Sequence, residues 1–473
     1  MSVAGNDRLL RLLAAASAAI TISACSLAPD YRRPEAELPA SWSAPAGVAN
    51  GDTRWWAVYD DPVLERLVDE ALSNNSNVQL AVARVEEARA TLRGTAAEEM
   101  PSAGIFADAA RTRSSQRGSQ PLPAGTDIVR NSYRTTLEVA YEVDFWGRLR
   151  NATRAARANL LATEAARDTV RISLSSDVAQ GYFRLRALDA QIAATRRSLA
   201  SSTESLSLQQ ERVRLGVLSD FAFRQREAEV AASRAQLPPL ERARAQQETA
   251  LAVLLGRSPR AIYEDTLTAG TDAAGTTAVI AVPAGVPSDL LLRRPDLVQA
   301  EHSLIAANAQ IGVARAAYFP AITLTGFLGS ESTALSSLFS GPAGIWQLAL
   351  GLTQPLWGAG RIASQVEVAN ARQQQALAQY QGAVQTAFRE VRDALVSQTQ
   401  AREQLEAETQ RVAALTDTLR LARLRYDNGL ASQLDVLDAE RNLLAAEQNR
   451  IDALRAQRAA IADLFRALGG SWS

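Results

Sequence analysis

Two ladders of apolar residues constrain this chain more than any other feature. Val178, Leu185, Ile192, Leu199, Leu206 and Val213 recur every seven residues, and so do Val391, Gln398, Leu405, Val412, Leu419 and Tyr426. A seven-residue period sustained this long specifies helices packed lengthwise as left-handed coiled coils. A helix over 149–214 would reach roughly 100 Å at 1.5 Å per residue, so its apolar seam needs an equally long partner. The two ladders superimpose at an offset of 213, from Val178 to Val391.

Other matches follow in the same order. Ala88 through Pro101 aligns with Ala307 through Pro320, and Trp146-Gly147 with Trp357-Gly358. Arg212, Gly216, Ser219 and Glu227 align with Arg425, Gly429, Ser432 and Glu440, and Leu255-Gly256 with Leu468-Gly469. Ordered matches with a slowly drifting offset predict a tandem duplication. The first copy spans 61–256, the second 288–473, and a Thr-, Gly- and Pro-rich linker at 257–287 joins them. Each copy reads as a helical stretch stopped by a Pro, two strands around a Ser/Gly-rich loop, a long helix and a shorter one. The strands are predicted over 102–113, 132–145, 320–330 and 345–356. The long helices fall at 149–214 and 358–427, the shorter ones at 220–254 and 432–467. Gly216 and Gly429 end the long helices as cap residues.

The strands alternate. Tyr133, Thr135, Leu137, Val139, Tyr141, Val143 and Phe145 share one face, with Arg134, Thr136, Glu138, Ala140, Glu142 and Asp144 on the other. Trp346, Leu348, Leu350 and Leu352 alternate with Gln347, Ala349, Gly351 and Thr353. Apolar-out, polar-in segments of about ten residues with aromatic ends are the pattern of a membrane β-barrel. Tyr133, Phe145, Trp146, Trp346 and Trp357 would supply the interfacial aromatics. An ordinary antiparallel sheet covering a helical core has the same period, and the strands alone leave both readings open. Four membrane strands cannot close a barrel, which needs roughly eight, and lipid tolerates no open edge. A membrane reading therefore requires several chains. Three would give twelve strands, while spacing alone also permits two or four.

The N-terminus carries a processing signal. Arg8 and Arg11 precede an apolar run, Leu12 to Ile22, too short to span a bilayer, as in a signal peptide over 1–24. It ends Ile22-Ser23-Ala24-Cys25, which resembles a bacterial lipobox and implies a lipid on Cys25. Ser26, rather than Asp, follows, which favours the outer membrane. Pro29, Pro34, Pro39 and Pro45 mark the stretch from Cys25 to about residue 60 as an extended tether.

Composition excludes much else. Net charge is −1, and all basic residues are Arg, so no basic footprint points to nucleic acid. Cys25 is the single cysteine, and His302, beside Glu301, is the single histidine. His302 reads as a helix-packing residue. There is no HExxH motif, no phosphate-cradling Gly-rich loop and no Lys for a Ser-Lys dyad. Neither an enzyme, a resident metal nor a cofactor beyond the Cys25 lipid is expected.

The stretch DLLLRRPDLVQAEHSLIAANAQIGVARAAYFPAITLTGFLG (289–329) resembles the hallmark block of the TolC-like outer-membrane efflux factors, lipoprotein branch, which serve RND-type multidrug pumps. RWWAVYDDPVLERLVDEAL (54–72) and RYDNGLASQLDVLDAE (425–440) resemble the same family, and the likeness covers about 54–470. It implies a mainly α chain with a membrane β-barrel part, four strands and long coiled-coil helices per chain. It implies a homotrimer whose twelve-stranded barrel continues as a twelve-helix α-barrel. The trimer would be an exit duct in the outer membrane of a Gram-negative bacterium, fed by an inner-membrane pump through a periplasmic adaptor (a membrane fusion protein).

The resemblance also implies site residues. Asp435 and Asp438 would form carboxylate rings at the periplasmic constriction, attracting cations and raising one another's pKa. In the first copy their places are held by Ala222 and Gln225. Tyr426 matches a position that helps hold the helices closed. The family's gating Arg is replaced here by Ala431, leaving Arg425 and Asp427 as substitutes. The turns Gly216, Val217, Leu218, Ser219 and Gly429, Leu430, Ala431, Ser432 would meet the adaptor. The rival reading is a lipid-anchored periplasmic coiled-coil adaptor or tether without a pore.

Overall fold

The computed structural model describes residues 26–35, 37, 54–117, 127–264 and 290–470. Cys25, the signal peptide and most of the 257–287 linker lie outside them. A 3-10 turn (Trp55–Tyr59) leads into α1 (Pro62–Asn74), α2 (Ser76–Ala97), β1 (Ser102–Arg113), β2 (Val129–Glu142), α3 (Arg148–Arg214) and α4 (Asp220–Leu254). After the short α5 (Pro259–Glu264) and α6 (Leu290–Arg293) the same order returns. It runs α7 (Pro295–Ala316), β3 (Ala321–Ser332), β4 (Gly344–Thr353), α8 (Arg361–Asp427) and α9 (Gln433–Ala467). The long helices α3 and α8 have 67 residues each, α4 and α9 35 each. Among the described residues no helix is long and apolar enough to cross a membrane.

Contacts divide the chain into two units. The first, residues 1–35, 85–163 and 299–380, holds the sheet. Its order is β1-β2-β3-β4, antiparallel throughout. Residues directly opposite share a face, so the register sorts the side chains. Ile105, Leu137, Leu328 and Trp346 form one row, with Val139, Gly326 and Leu348, then Tyr141, Leu324 and Leu350, beside it. The other face carries the rows Asp108-Arg134-Glu331 and Gly104-Glu138-Phe327-Gln347. The apolar face is bare: Ile105 is 83% exposed, Trp346 80%, Leu348 and Leu350 71%. A sheet laid over a helical core would bury that face, so the covering-sheet alternative fails.

The sheet's ends differ from the periodicity. β2 stops at Glu142, short of Phe145. The amide of Val143 still donates to Ile322 O at 2.9 Å. Beyond it Glu142 takes both arms of Arg148 at 2.8 Å, and the Asp144 carboxylate takes the Arg150 amide at 2.8 Å. These bonds turn the chain into α3. Trp146 stacks on Phe319 at 4.4 Å and donates to Pro320 O, so it packs the base of the sheet. β4 ends at Thr353, before Pro355, which has no N–H to give a ladder. The Ser26–Glu35 segment, expected as an extended tether, runs along α7, with Asn308 donating to Pro29 O and Arg33 to Glu301.

The second unit, residues 36–84, 164–298 and 381–473, holds the apolar core. Trp55, Trp56 and Tyr59 pack with Leu64, Leu67 and Val68 of α1, Val178, Tyr182 and Leu185 of α3, Leu251 of α4 and Ile461 and Phe465 of α9. Trp55 stacks on Phe465 at 5.3 Å and donates to Ser175 Oγ at 3.1 Å. Asp61 caps α1 through the Val63 amide and accepts the Tyr182 hydroxyl. Of the heptad residues, Val178, Leu185, Ile192 and Val391 are buried, whereas those nearer the turns at Gly216 and Gly429 are only half-buried.

Candidate gate at the hairpin tips

Both tips lie in the second unit and are built alike. α3 ends in a Schellman cap, with Gly216 N–H on Val213 O and Val217 N–H on Arg212 O, both 2.9 Å. α8 ends the same way, with Gly429 N–H on Tyr426 O at 2.9 Å and Leu430 N–H on Arg425 O at 2.8 Å. Gly216 and Gly429 both sit at φ +73°, the left-handed region a side chain disfavours. A few residues on, Ser219 and Ser432 start the next helices, accepting from Ala222 N and Asp435 N at 3.3 Å. Leu215, Val217, Phe221, Leu430 and Leu434 stand half or more exposed around these turns.

The second tip differs at Asp435. Its carboxylate accepts from the Ser432 amide at 2.7 Å and the Ser432 hydroxyl at 2.8 Å, completing a capping box. Those bonds, the hydroxyl's first, and the nearby Arg425 charge hold the carboxyl below the usual range. This is opposite to the direction that crowding around a ring would impose. The sequence carries a signal for this bond, since Ser432 stands three residues before an acid. Asp438 lies one turn further on the same exposed face, 4.0 Å from Arg441. Val436 and Leu437 between them are buried. Arg425 donates to Leu430 O at 3.4 Å, and among the described residues it is not paired with Asp427. Tyr426 is half-buried, Ala431 half-buried and Asp427 exposed.

Sequence reasoning missed what ties the tips together. Glu440 accepts from Arg226 of α4 at 2.6 Å and from Arg423 of α8 at 2.9 Å, and the Arg226 side chain is 3% exposed. Arg441 donates to Glu229 at 2.6 Å in a second α9–α4 pair. The Gln433 amide, also buried, reaches Gln209 of α3 and Ala222 O of α4. None of these pairs repeats at the 213 offset, so the duplication could not reveal them.

The family model for outer membrane efflux proteins matches residues 67–257 and again 286–470. The chain belongs to the outer membrane efflux protein family. This outer membrane efflux protein is 36% identical over 473 residues to the probable outer membrane lipoprotein SilC of Salmonella typhimurium, covering 98% of this chain and 99% of SilC. It is 37% identical over 468 residues to the solvent efflux pump outer membrane protein SrpC of Pseudomonas putida, covering 96% and 97%. Its structure superposes on the Campylobacter jejuni CmeC outer membrane channel with a TM-score of 0.89 at 27% identity, covering 95% and 96%. It is thus an outer-membrane efflux channel of the TolC-like fold and not an enzyme, and the pore-less tether reading is set aside.

Proposed function

We propose that three copies close one twelve-stranded barrel in the outer membrane and continue it as a twelve-helix tube through the periplasm. The assembly is a passive exit duct for substrates handed on by an RND-type inner-membrane pump and a periplasmic adaptor. The register of the sheet carries this reading. One face carries a broad apolar band from Leu137 to Tyr141 and across Leu328 and Trp346 to Leu350, the other carries the charged residues Asp108, Arg134, Glu138 and Glu331, and β1 and β4 leave two open backbone edges. Lipid accommodates such a face and rejects such edges, so further strands must close the ring. The lipid on Cys25 adds an anchor. The pump sets the substrate. With two Met and one His in the whole chain, no soft-metal relay can line the duct.

In this assembly the Asp435 and Asp438 carboxylates form rings at the narrow end, and Tyr426, Arg425 and Asp427 hold the closed tip. The turns Gly216–Ser219 and Gly429–Ser432 meet the adaptor. The apolar side chains exposed at both turns support that contact.

Single-channel conductance in a planar bilayer tests both levels. The wild type should show a small cation-selective conductance that grows and loses selectivity in Asp435→Ala/Asp438→Ala. A conductance blind to the mutation moves the constriction elsewhere. A folded, oligomeric protein that conducts nothing overturns the duct.

A further inference from the structure

We infer that the face of α7 bearing Glu301, Asn308 and Gly312 is a receptor for an extended peptide. Its occupant is the chain's own segment Ser26–Glu35, which staples the first repeat to the second. The contacts step backwards along α7. Arg315 donates to Leu27 O at 3.4 Å and Asn308 to Pro29 O at 2.6 Å. Glu301 then receives Tyr31 Oη at 3.1 Å and both Arg33 Nε and Nη2 at 2.8 Å. The helix positions 315, 308 and 301 are two turns apart each. From 315 to 301 the helix rises about 21 Å at 1.5 Å per residue. From Leu27 to Arg33 an extended chain covers about 20–22 Å. The segment and the helix therefore run antiparallel in matched length.

At its start the segment reaches the other repeat. Ser26 Oγ donates to Asn151 Oδ1, in the first turn of α3, at 3.2 Å. Gly312 makes the approach possible: a Cβ there would lie 2.7 Å from Ala28 Cβ and 2.5 Å from Asn151 Nδ2. At the other end the Glu301 side chain is only 11% exposed, and Arg33 is the cation that meets it. A buried carboxylate stripped of its cation is strongly unfavourable, and a two-armed guanidinium is its most specific partner. Tyr380 of α8, 1% exposed, belongs to the same cluster; burial first and the Glu301 charge second push its phenol up. The segment thus spans α3 of one repeat and α7 and α8 of the other. Ser26 is held at the base of the sheet by protein contacts, one residue along the chain from Cys25.

Chymotrypsin cleavage after Tyr31 in the purified full-length protein tests this, read by release of the N-terminal peptide. The wild type should resist. Arg33→Glu should be cut about tenfold faster or more, because cleavage follows the population of the open segment. The swap Arg33→Glu/Glu301→Arg should recover most of the protection. Gly312→Ala should open the segment without any change of charge. Cys25→Ser should stay protected, because the α7 contacts rather than the lipid hold the segment. Wild-type resistance in Arg33→Glu, no recovery in the swap, or rapid cutting of Cys25→Ser overturns the inference.

Discussion

Ser432 and Asp435 hold each other, and this gives one tip aspartate a second task. Asp435 is fully exposed and its carboxyl lies below the ordinary value of about 3.9. A depressed acid stabilises the folded cap above its unfolded pKa and loses that contribution as pH falls through the folded one. Asp435→Ala should therefore speed amide exchange in the first turn of α9 at pH 7, and the difference from wild type should vanish in strong acid. Ser432→Ala should do the same at pH 7 without altering any charge. Equal exchange in Ser432→Ala and wild type would remove the cap from the account. Arg226 poses a different test, since its side chain is 3% exposed and Glu440's 11%. Arg226→Ala leaves Glu440 with Arg423 as its remaining cation and should cost about 1–3 kcal/mol. Arg441→Ala leaves Glu229, whose side chain is 11% exposed, without its cation and should cost at least as much, and denaturant unfolding of the two variants compares them.

At the scale of elements, periodicity is a good guide. Seven-residue spacing marks α3 and α8, two-residue spacing marks the strands, and Gly216 and Gly429 mark the helix ends, because each reports on the local backbone. The strand ends are not legible, since side chains decide them: Glu142 and Asp144 are drawn off by Arg148 and Arg150. The tip lattice is not legible either. Arg226 and Glu440 stand 214 residues apart, and only packing of α4 against α9 shows that they meet. The seating of Ser26–Glu35 on α7 is hidden for the same reason: its prolines suggest an extended tether but name no partner for it. The sheet's two faces yield a direct comparison. Leu350→Arg on the apolar face should cost about 2–4 kcal/mol if it lies at mid-bilayer, while Gln347→Arg on the opposite face should be nearly neutral. Folding titrations into lipid vesicles measure both, and equal penalties would deny that one face meets lipid.

For the whole molecule, the open edges at β1 and β4 make association obligatory. Sedimentation in detergent should give a mass of three chains with no monomer that keeps its sheet. An intact monomeric sheet would contradict the barrel. The even number of strands has one more consequence. With two hairpins, the chain leaves the sheet on the side from which it entered, so only the β1–β2 and β3–β4 connections lie at the far end. In the proposed trimer those two connections, three copies of each, are what the duct would turn toward the outside of the cell.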